Sequence, residues 1–453
     1  MRPRIPQNSP ARPVPRPHQP SPERPSLPVP CAQVTRRASE SLRSGHLWVY
    51  ASDIEQVELG PYGSQPPSLL PAVDNRGIPL GTALYSPASQ IALRLVSREL
   101  ISSQQWLIIA AERLRAAIAL RRPLLDAETN ACRLVFSEAD NLPGIIVDKY
   151  AGILVLQLLA KGLDNPETRA ACANVLKEEL VAPENTLTLW ERPDPRIREL
   201  EGLSSPATIP LFASDPDAPS GSTLFRLNGL SFHFDVNSGQ KTGAFLDQRQ
   251  NYAAAATWAK LLGAKKALDV CTYQGGFALH LAQVCEKVTG VDSSRSSLET
   301  AEKNLEANRS QLATAVDWVE ADAFQLLREW SETASEDISK WDLIVLDPPA
   351  FAKSKRAVEG ALRGYKELNL RALRMIRPGG LLITCSCSHH ISWSDLESAV
   401  ASASADAHRR VTLLERHGAA QDHPVILNLP ETEYLKCLIC RVDGNAFGPS
   451  SAH

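Results

Sequence analysis

Apolar runs without a helical period mark the second half of the chain. Residues 343–349 read Leu-Ile-Val-Leu-Asp-Pro-Pro, and residues 381–390 read Leu-Leu-Ile-Thr-Cys-Ser-Cys-Ser-His-His. Each run breaks off abruptly into polar residues, as strands buried on both faces of a parallel sheet do. Comparable strands are expected at 266–270, 287–291, 317–320, 343–346 and 381–384, with helices between them such as 296–308. From residue 224 onward this alternation predicts βαβ units and a parallel sheet, closed by a β-rich stretch at 425–442. Asp347 would stand at the carboxyl end of one strand and Cys387 just past the end of the next. Pro348 and Pro349 cannot continue a central strand, so the chain must leave the sheet at Asp347. Ligands of open α/β sheets bind along that edge, which makes an acid and a thiol there a candidate active site.

The first half has a different texture. Short apolar segments at 47–50, 80–85 and 91–96, separated by Gly and Pro, predict a small β-barrel over 31–98. An amphipathic helix is expected at 102–122, with Ser102 or Ser103 as N-cap and Pro123 beyond its end. Trp106, Ile109, Leu114 and Ile118 fall on one of its faces. Residues 133–159 alternate strand and turn, a helix follows at 166–180, and a Ser/Pro/Asp-rich loop at 204–222 closes a central α/β unit. The expected organisation is a Pro/Arg-rich disordered tail (1–30), a barrel (31–98), a central domain (99–223), an α/β catalytic domain (224–445) and a short disordered tail (446–453).

Composition narrows this picture. The 453 residues are 43% hydrophobic and 22% charged, normal for a globular protein of two or three domains. Lys+Arg 48 against Asp+Glu 51 gives a net charge of −3, so nucleic-acid binding would have to come from local basic patches. No apolar run approaches the roughly 20 residues of a membrane helix, and no membrane association is expected. The tail holds 11 of the 33 prolines and no apolar core, unlike a secretory signal. Nine cysteines, many inside apolar strands, point to reduced thiols in a cytoplasm.

The chemistry concentrates at strand ends. The strand at 266–270 runs into Cys271-Thr272-Tyr273-Gln274-Gly275-Gly276-Phe277, where Gly275 and Gly276 would let the backbone approach a ligand at a helix N-terminus. The loop is not the Gly-x-Gly-x-x-Gly fingerprint, and structural glycines are an equal reading. Asp269, Asp292, Asp322 and Asp347 fall at the ends of four consecutive strands. One such Asp is ordinarily a helix N-cap; four in register suggest a crevice that accepts hydrogen bonds from a ribose. Cys385, Cys387, His389 and His390 lack the spaced pairs of a tetrahedral zinc site, so no metal is expected. Cys437 and Cys440 read as core.

This register, with Asp-Pro-Pro closing the fourth strand, resembles the class I S-adenosylmethionine-dependent methyltransferases. A closer resemblance lies at residues 237–249, Asn-Ser-Gly-Gln-Lys-Thr-Gly-Ala-Phe-Leu-Asp-Gln-Arg, supported by segments 85–91, 136–144 and 363–369 and by Ser386-Cys387-Ser388. Together they are similar to the bacterial large-subunit ribosomal RNA methyltransferase I family, which makes 5-methylcytosine, over about residues 31–442. The resemblance implies an N-terminal PUA RNA-binding barrel, a central domain and a Rossmann-like catalytic domain. It implies S-adenosylmethionine flanked by Lys241, Thr242, Phe245, Asp247, Tyr273, Asp292, Asp322 and Asp347, with Asp269, Gly275, Gly276, Ser293 and Ala323 completing the site. A sulfonium attracts carboxylates and aromatic faces, which fits Tyr273 and Phe245.

The resemblance makes Cys387 the nucleophile that adds to carbon 6 of cytosine so that carbon 5 can take the methyl group. Asp347 or the Asp-Pro-Pro carbonyls would hold the base edge, and Phe351 would stack the flipped base. Pro348, Pro349, Tyr365, Lys353 and Lys355 complete the expected substrate contacts, the lysines on phosphates. The resemblance implies large-subunit (23S) ribosomal RNA as the partner, and the reading is compatible with a homodimer. Methyltransferases that use two cysteines for this product place one straight after Pro-Pro; Ala350 stands there, so the base for the final elimination is unassigned. Modification of another base, such as a guanine amino group, would need no thiol. A non-catalytic RNA-binding assembly factor would need neither thiol nor methyl donor.

Overall fold

The computed structural model describes residues 29–444, apart from 64–65, 182–185, 205–208, 216, 218, 238–242, 334–340 and 353. Lys241, Thr242 and Lys353 therefore lie outside the described residues, as do residues 1–28 of the first tail and the whole of the second.

The N-terminal unit holds β1 (Cys31–Val34), α1 (Arg36–Arg43), β2 (Trp48–Tyr50), β3 (Ile54–Glu58), β4 (Leu69–Val73), β5 (Pro79–Tyr85) and β6 (Ile91–Ser97). The strands pair in the order β2-β6-β5-β4-β1-β3 around a core that includes Val34, Leu42, Val49, Leu70 and Leu93. Helix α2 (Ser103–Arg121) follows, with Ser102 and Gln105 forming a reciprocal capping box. Trp106, Leu114 and Ile118 are buried along it and Ile109 is half-buried. These side chains share one core with Leu69, Leu84 and Val96 of the first unit and with Leu134, Val135 and Leu156 of the next.

That next unit is a five-stranded sheet, β11-β10-β9-β8-β7. Its strands are β7 (Ala131–Phe136), β8 (Ile145–Tyr150), β9 (Ile153–Leu158), β10 (Thr188–Glu191) and β11 (Phe212–Ala213). Helix α3 (Pro166–Leu180) makes the crossover between the parallel pair β9 and β10, and α4 (Pro195–Glu201) follows β10.

The regular alternation expected from residue 224 begins later. First comes an antiparallel hairpin, β12 (Ser222–Leu227) and β13 (Leu230–Asp235). Its two-residue turn is Asn228-Gly229, both at positive φ, the combination that matches the twist of hairpin strands. Phe225, Phe232 and Phe234 carry it onto Tyr150, whose ring stacks on Phe234 at 4.1 Å.

The catalytic-domain sheet follows α5 (Arg249–Leu261). It runs β14 (Lys266–Val270), α6 (Gly276–Ala282), β15 (Lys287–Asp292), α7 (Arg295–Asn308), β16 (Val316–Glu320), α8 (Ala323–Thr333), β17 (Trp341–Leu346), α9 (Val358–Met375), β18 (Ile376–Ser386), α10 (Trp393–Asp406), β19 (Arg410–His417) and β20 (Lys436–Asp443). The spatial order is β16-β15-β14-β17-β18-β20-β19, parallel except for β20, which is antiparallel to both neighbours. After β14 the chain fills one side of the sheet and then returns to β17 on the other, creating a switch point at their carboxyl ends. The closing β-rich stretch is confined to β20, whereas residues 424–435 hold only an isolated bridge between Ile426 and Leu429 and a short 3-10 turn at Pro430–Thr432. Strand β19 escaped the hydrophobic pattern because it is an edge: Arg410–His417 has no buried residue.

Because α2 belongs to a core shared by two units, truncating it should loosen both. Leu114→Ala is expected to cost about 2–5 kcal/mol, with probes in the barrel and in the central sheet moving through one denaturant transition. Two separate transitions would refute the shared core.

Candidate active site

Register fixes the level of the strand ends. Val270 pairs with both Val291 and Leu346, and Leu346 pairs with Thr384. The last rung is the Asp347 N–H, which donates to the Val270 carbonyl at 3.1 Å. Pro348 and Pro349 have no N–H, so the ladder stops and the chain turns away. A cleft opens above the switch point. Its walls include Phe245, Asp247 and Gln248 from the segment before α5, Tyr273 after β14, Asp292 and Ser293 after β15, Asp322 and Ala323 after β16, Asp347, Pro348, Pro349 and Phe351 after β17, and Cys387 after β18. The Cys387 thiol faces the proline pair, its Sγ 3.9 Å from the Pro348 carbonyl oxygen.

The crest of β14 is strained and pinned. Cys271 and Tyr273 sit at φ 63° and 53°, and such non-glycine residues cost of order 1–3 kcal/mol each. Asp269 holds the turn from below. Its Oδ2 accepts from Thr272 Oγ1 at 2.5 Å and from the Ala278 N–H at 2.9 Å. Asp292 holds it from the side, accepting from the N–H groups of Tyr273 (2.9 Å) and Ser294 (2.8 Å). The Tyr273 ring then meets Phe245 edge-on at 4.8 Å. Asp322 accepts from the Gln325 N–H at 2.9 Å, a helix N-cap that also borders the cleft. Gln248 donates to Asp347 Oδ2 at 2.9 Å and is itself held by Asn251 at 2.5 Å. Asp247 accepts from Tyr434 OH at 2.5 Å, and burial, reinforced by that carboxylate, pushes the Tyr434 phenol well above its ordinary value.

Several expected residues are placed elsewhere. Asp269 is fully buried inside β14 and does not line the cleft. Gly275 (φ 85°) and Gly276 also stand back from it. A Cβ on Gly276 would lie 2.4 Å from the Tyr252 ring, and one on Gly275 would lie 3.0 Å from Trp318, so protein packing accounts for both glycines. Tyr365, expected at the substrate, is buried behind the site, its hydroxyl accepting from Ser386 Oγ at 2.8 Å. Helix periodicity could not separate this inward face from the cleft side. Lys355 is exposed in the short turn before α9 and does not line the cleft. Of the basic residues beyond it, Arg363, Lys366 and Arg371 pair with Glu359, Asp406 and Glu367.

Sequence reasoning assigned no role to Gln248, Tyr252 or Thr272, although Gln248 lies within the 237–249 segment. None of the nine cysteines forms a disulfide, and Cys385, Cys437 and Cys440 are buried in β18 and β20. Among the described residues no cluster of three or more His, Cys, Asp or Glu is arranged to hold a metal. Nor, among them, is any helix long and apolar enough to cross a membrane.

The donor set of the cleft suits a methyl-sulfonium nucleoside: carboxylates and aromatic faces for a cation, with apolar Val291, Ala321, Ala323 and Phe324 for a purine ring. Comparison with known proteins agrees. Residues 32–98 match the PUA-like domain family, and residues 169–426 match the S-adenosylmethionine-dependent methyltransferase family. The fold is shared with a Streptococcus mutans methyltransferase (TM-score 0.73, 19% identity, 90% of this chain and 99% of that one). A methyltransferase solved in complex with SAH shares it equally (TM-score 0.73, 20% identity, the same coverage). This is an S-adenosylmethionine-dependent methyltransferase carrying a PUA-like domain, and S-adenosylmethionine is its cofactor. It is 37% identical to the ribosomal RNA large subunit methyltransferase I of Photobacterium profundum (89% of this chain, 97% of the relative) and 36% identical to that of Pseudoalteromonas translucida (the same coverage). The chain belongs to the ribosomal RNA large subunit methyltransferase I family.

The crest has a titration of its own. Burial pushes the Asp269 carboxyl up to about 7, although Thr272 and Ala278 donate to it. An unfolded aspartate titrates near ~3.9, so folding favours the protonated form. That contribution is complete below about pH 4 and is lost as the pH rises through about 7. Asp269→Asn cannot ionise, so the melting temperature of the wild type relative to this variant should fall between about pH 5 and about pH 8. Parallel melting curves across that range would contradict this state of Asp269.

Proposed function

We propose that this protein transfers a methyl group from S-adenosylmethionine to carbon 5 of a cytosine in large-subunit ribosomal RNA through a covalent adduct at Cys387. The observation that carries the reading is the thiol on the wall of the cofactor cleft, 3.9 Å from the Pro348 carbonyl and past the end of the strand next to Asp347. The names of the relatives support the RNA class.

The Cys387 thiolate adds to carbon 6, breaking the C5=C6 π bond and making carbon 5 enamine-like. Bound S-adenosylmethionine supplies the methyl group as an electrophile, its sulfonium leaving as a neutral thioether. Asp347, held by Gln248, and the Asp-Pro-Pro carbonyls receive the exocyclic amine of the base. Phe351, packed 4.9 Å from Tyr365, offers a face for the extruded ring. Loss of the carbon 5 proton to a base then restores the double bond, expels Cys387 as thiolate and completes the balance. Lys241, Thr242, Phe245, Asp247, Tyr273, Asp292, Ser293, Asp322 and Ala323 are assigned to the cofactor in this reading, and Pro348, Pro349 and Lys353 to the RNA.

Incubation with labelled methyl donor and naked rRNA, followed by mass spectrometry of the nucleosides, tests the product; 5-methylcytosine is expected. Cys387→Ala should lower transfer by more than ~10³-fold while leaving cofactor binding intact. A variant that still methylates RNA would transfer the assignment to a base whose chemistry needs no thiol.

A further inference from the structure

Cys387 is braced by two buried groups that take no part in the methyl transfer described above. Lys436 on β20 is 2% exposed, and its ammonium donates to the carbonyl oxygens of Ser388 at 3.0 Å and Ile391 at 2.6 Å. Register places it opposite Ser386, so a buried cation lies beside the strand end from which Cys387 projects. On the other flank the Tyr365 hydroxyl accepts from Ser386 Oγ and lies 3.1 Å from Ser388 Oγ. Ser388 Oγ in turn accepts from the Ala352 N–H at 3.3 Å, tying the thiol's turn to the Asp-Pro-Pro loop.

A lysine is almost never buried this completely unless it is paired or used. Here two of its three donors hold the backbone on either side of the His389-His390 turn that follows Cys387. We propose that Lys436 is a positioning residue for Cys387: it fixes the turn that follows the thiol and supplies the positive charge that favours the thiolate. The inference rests on the covalent reading above. Burial, the largest influence, draws the Lys436 ammonium below its ordinary value, and the charges of Glu433, Cys387 and Asp395 work to keep it protonated. The attraction is mutual, since an opposite charge nearby favours the charged form of each partner. Around Cys387 itself, the Asp347 carboxylate opposes a thiolate. The Tyr365 phenol, pushed up by burial, is neutral and adds hydrogen bonding alone.

The test reads the thiol without turnover. Full-length wild type, Lys436→Met and Lys436→Arg are alkylated with iodoacetamide across the pH range, and Cys387 labelling is followed by peptide mass spectrometry. The Lys436→Met midpoint should rise by about one unit, about tenfold less thiolate at neutral pH. Lys436→Arg should stay near the wild type. In methyl transfer, Lys436→Met should lose kcat with little change in KM for RNA. An unmoved midpoint in a Lys436→Met protein that still binds S-adenosylmethionine overturns the proposal. Should neither variant fold, the wild-type midpoint decides: below about 8.5, the value of an ordinary cysteine, supports it, and at or above that value overturns it. An inactive Cys387→Ala with an unmoved midpoint removes this inference alone; an active Cys387→Ala removes the covalent reading and this inference with it.

Discussion

The site depends on where one hydrogen-bond ladder ends. The Asp347 N–H closes the last rung on Val270, and the two prolines behind it have nothing to donate. That stop sets the height at which an acid, a carbonyl and a turn leave the sheet. Since β14, β15, β17 and β18 are parallel and in register, it also sets their height relative to Asp292 and Cys387. Side chains from elements more than a hundred residues apart thus meet in one cleft without long loops to carry them.

Holding that edge requires buried polar work. Two left-handed non-glycine residues, Cys271 and Tyr273, survive because acids on both sides satisfy the surrounding N–H groups. The same economy recurs at Arg133, which makes a two-pronged ion pair with Asp148 at 2.8 Å on each prong while its N–H donates to Asp422. Asp422 is kept ionised, against its burial, chiefly by its hydrogen bond with His423 and by the His423 and Arg249 charges. The central sheet and the catalytic domain are therefore joined at Asp422 by a hydrogen bond as well as by apolar contacts, and Asp247, bonded to Tyr434, brings a further buried acid to the cleft wall.

Much of this was legible in the chain. Strands buried on both faces announce themselves as apolar runs, so β14, β15, β17 and β18 stand in the pattern, and the Asp-Pro-Pro terminus marks where the sheet ends. Edge strands do not: β19 alternates charges with half-buried residues and resembles a surface loop. The Asn228-Gly229 turn was a readable hairpin signal, obscured by the Ser/Pro-rich stretch before it. At the site, strand-end acids were visible but their duties were not. Asp269 differs from Asp292 by lying one residue short of its strand's end, which is enough to turn a cleft residue into a buried brace. Likewise a lysine within Leu-Lys-Cys-Leu-Ile-Cys is conspicuous only once its burial is known.

Helix α2 has an architectural consequence. Its inward face is common property of the small N-terminal sheet and the central one, with Leu69, Leu84 and Val96 pressed on the same side chains as Val135 and Leu156. Joined through that shared core, the two modules are not beads on a string. Cutting the gene between them would leave a greasy scar on each half, and a catalytic fragment prepared that way would be expected to clump rather than to work.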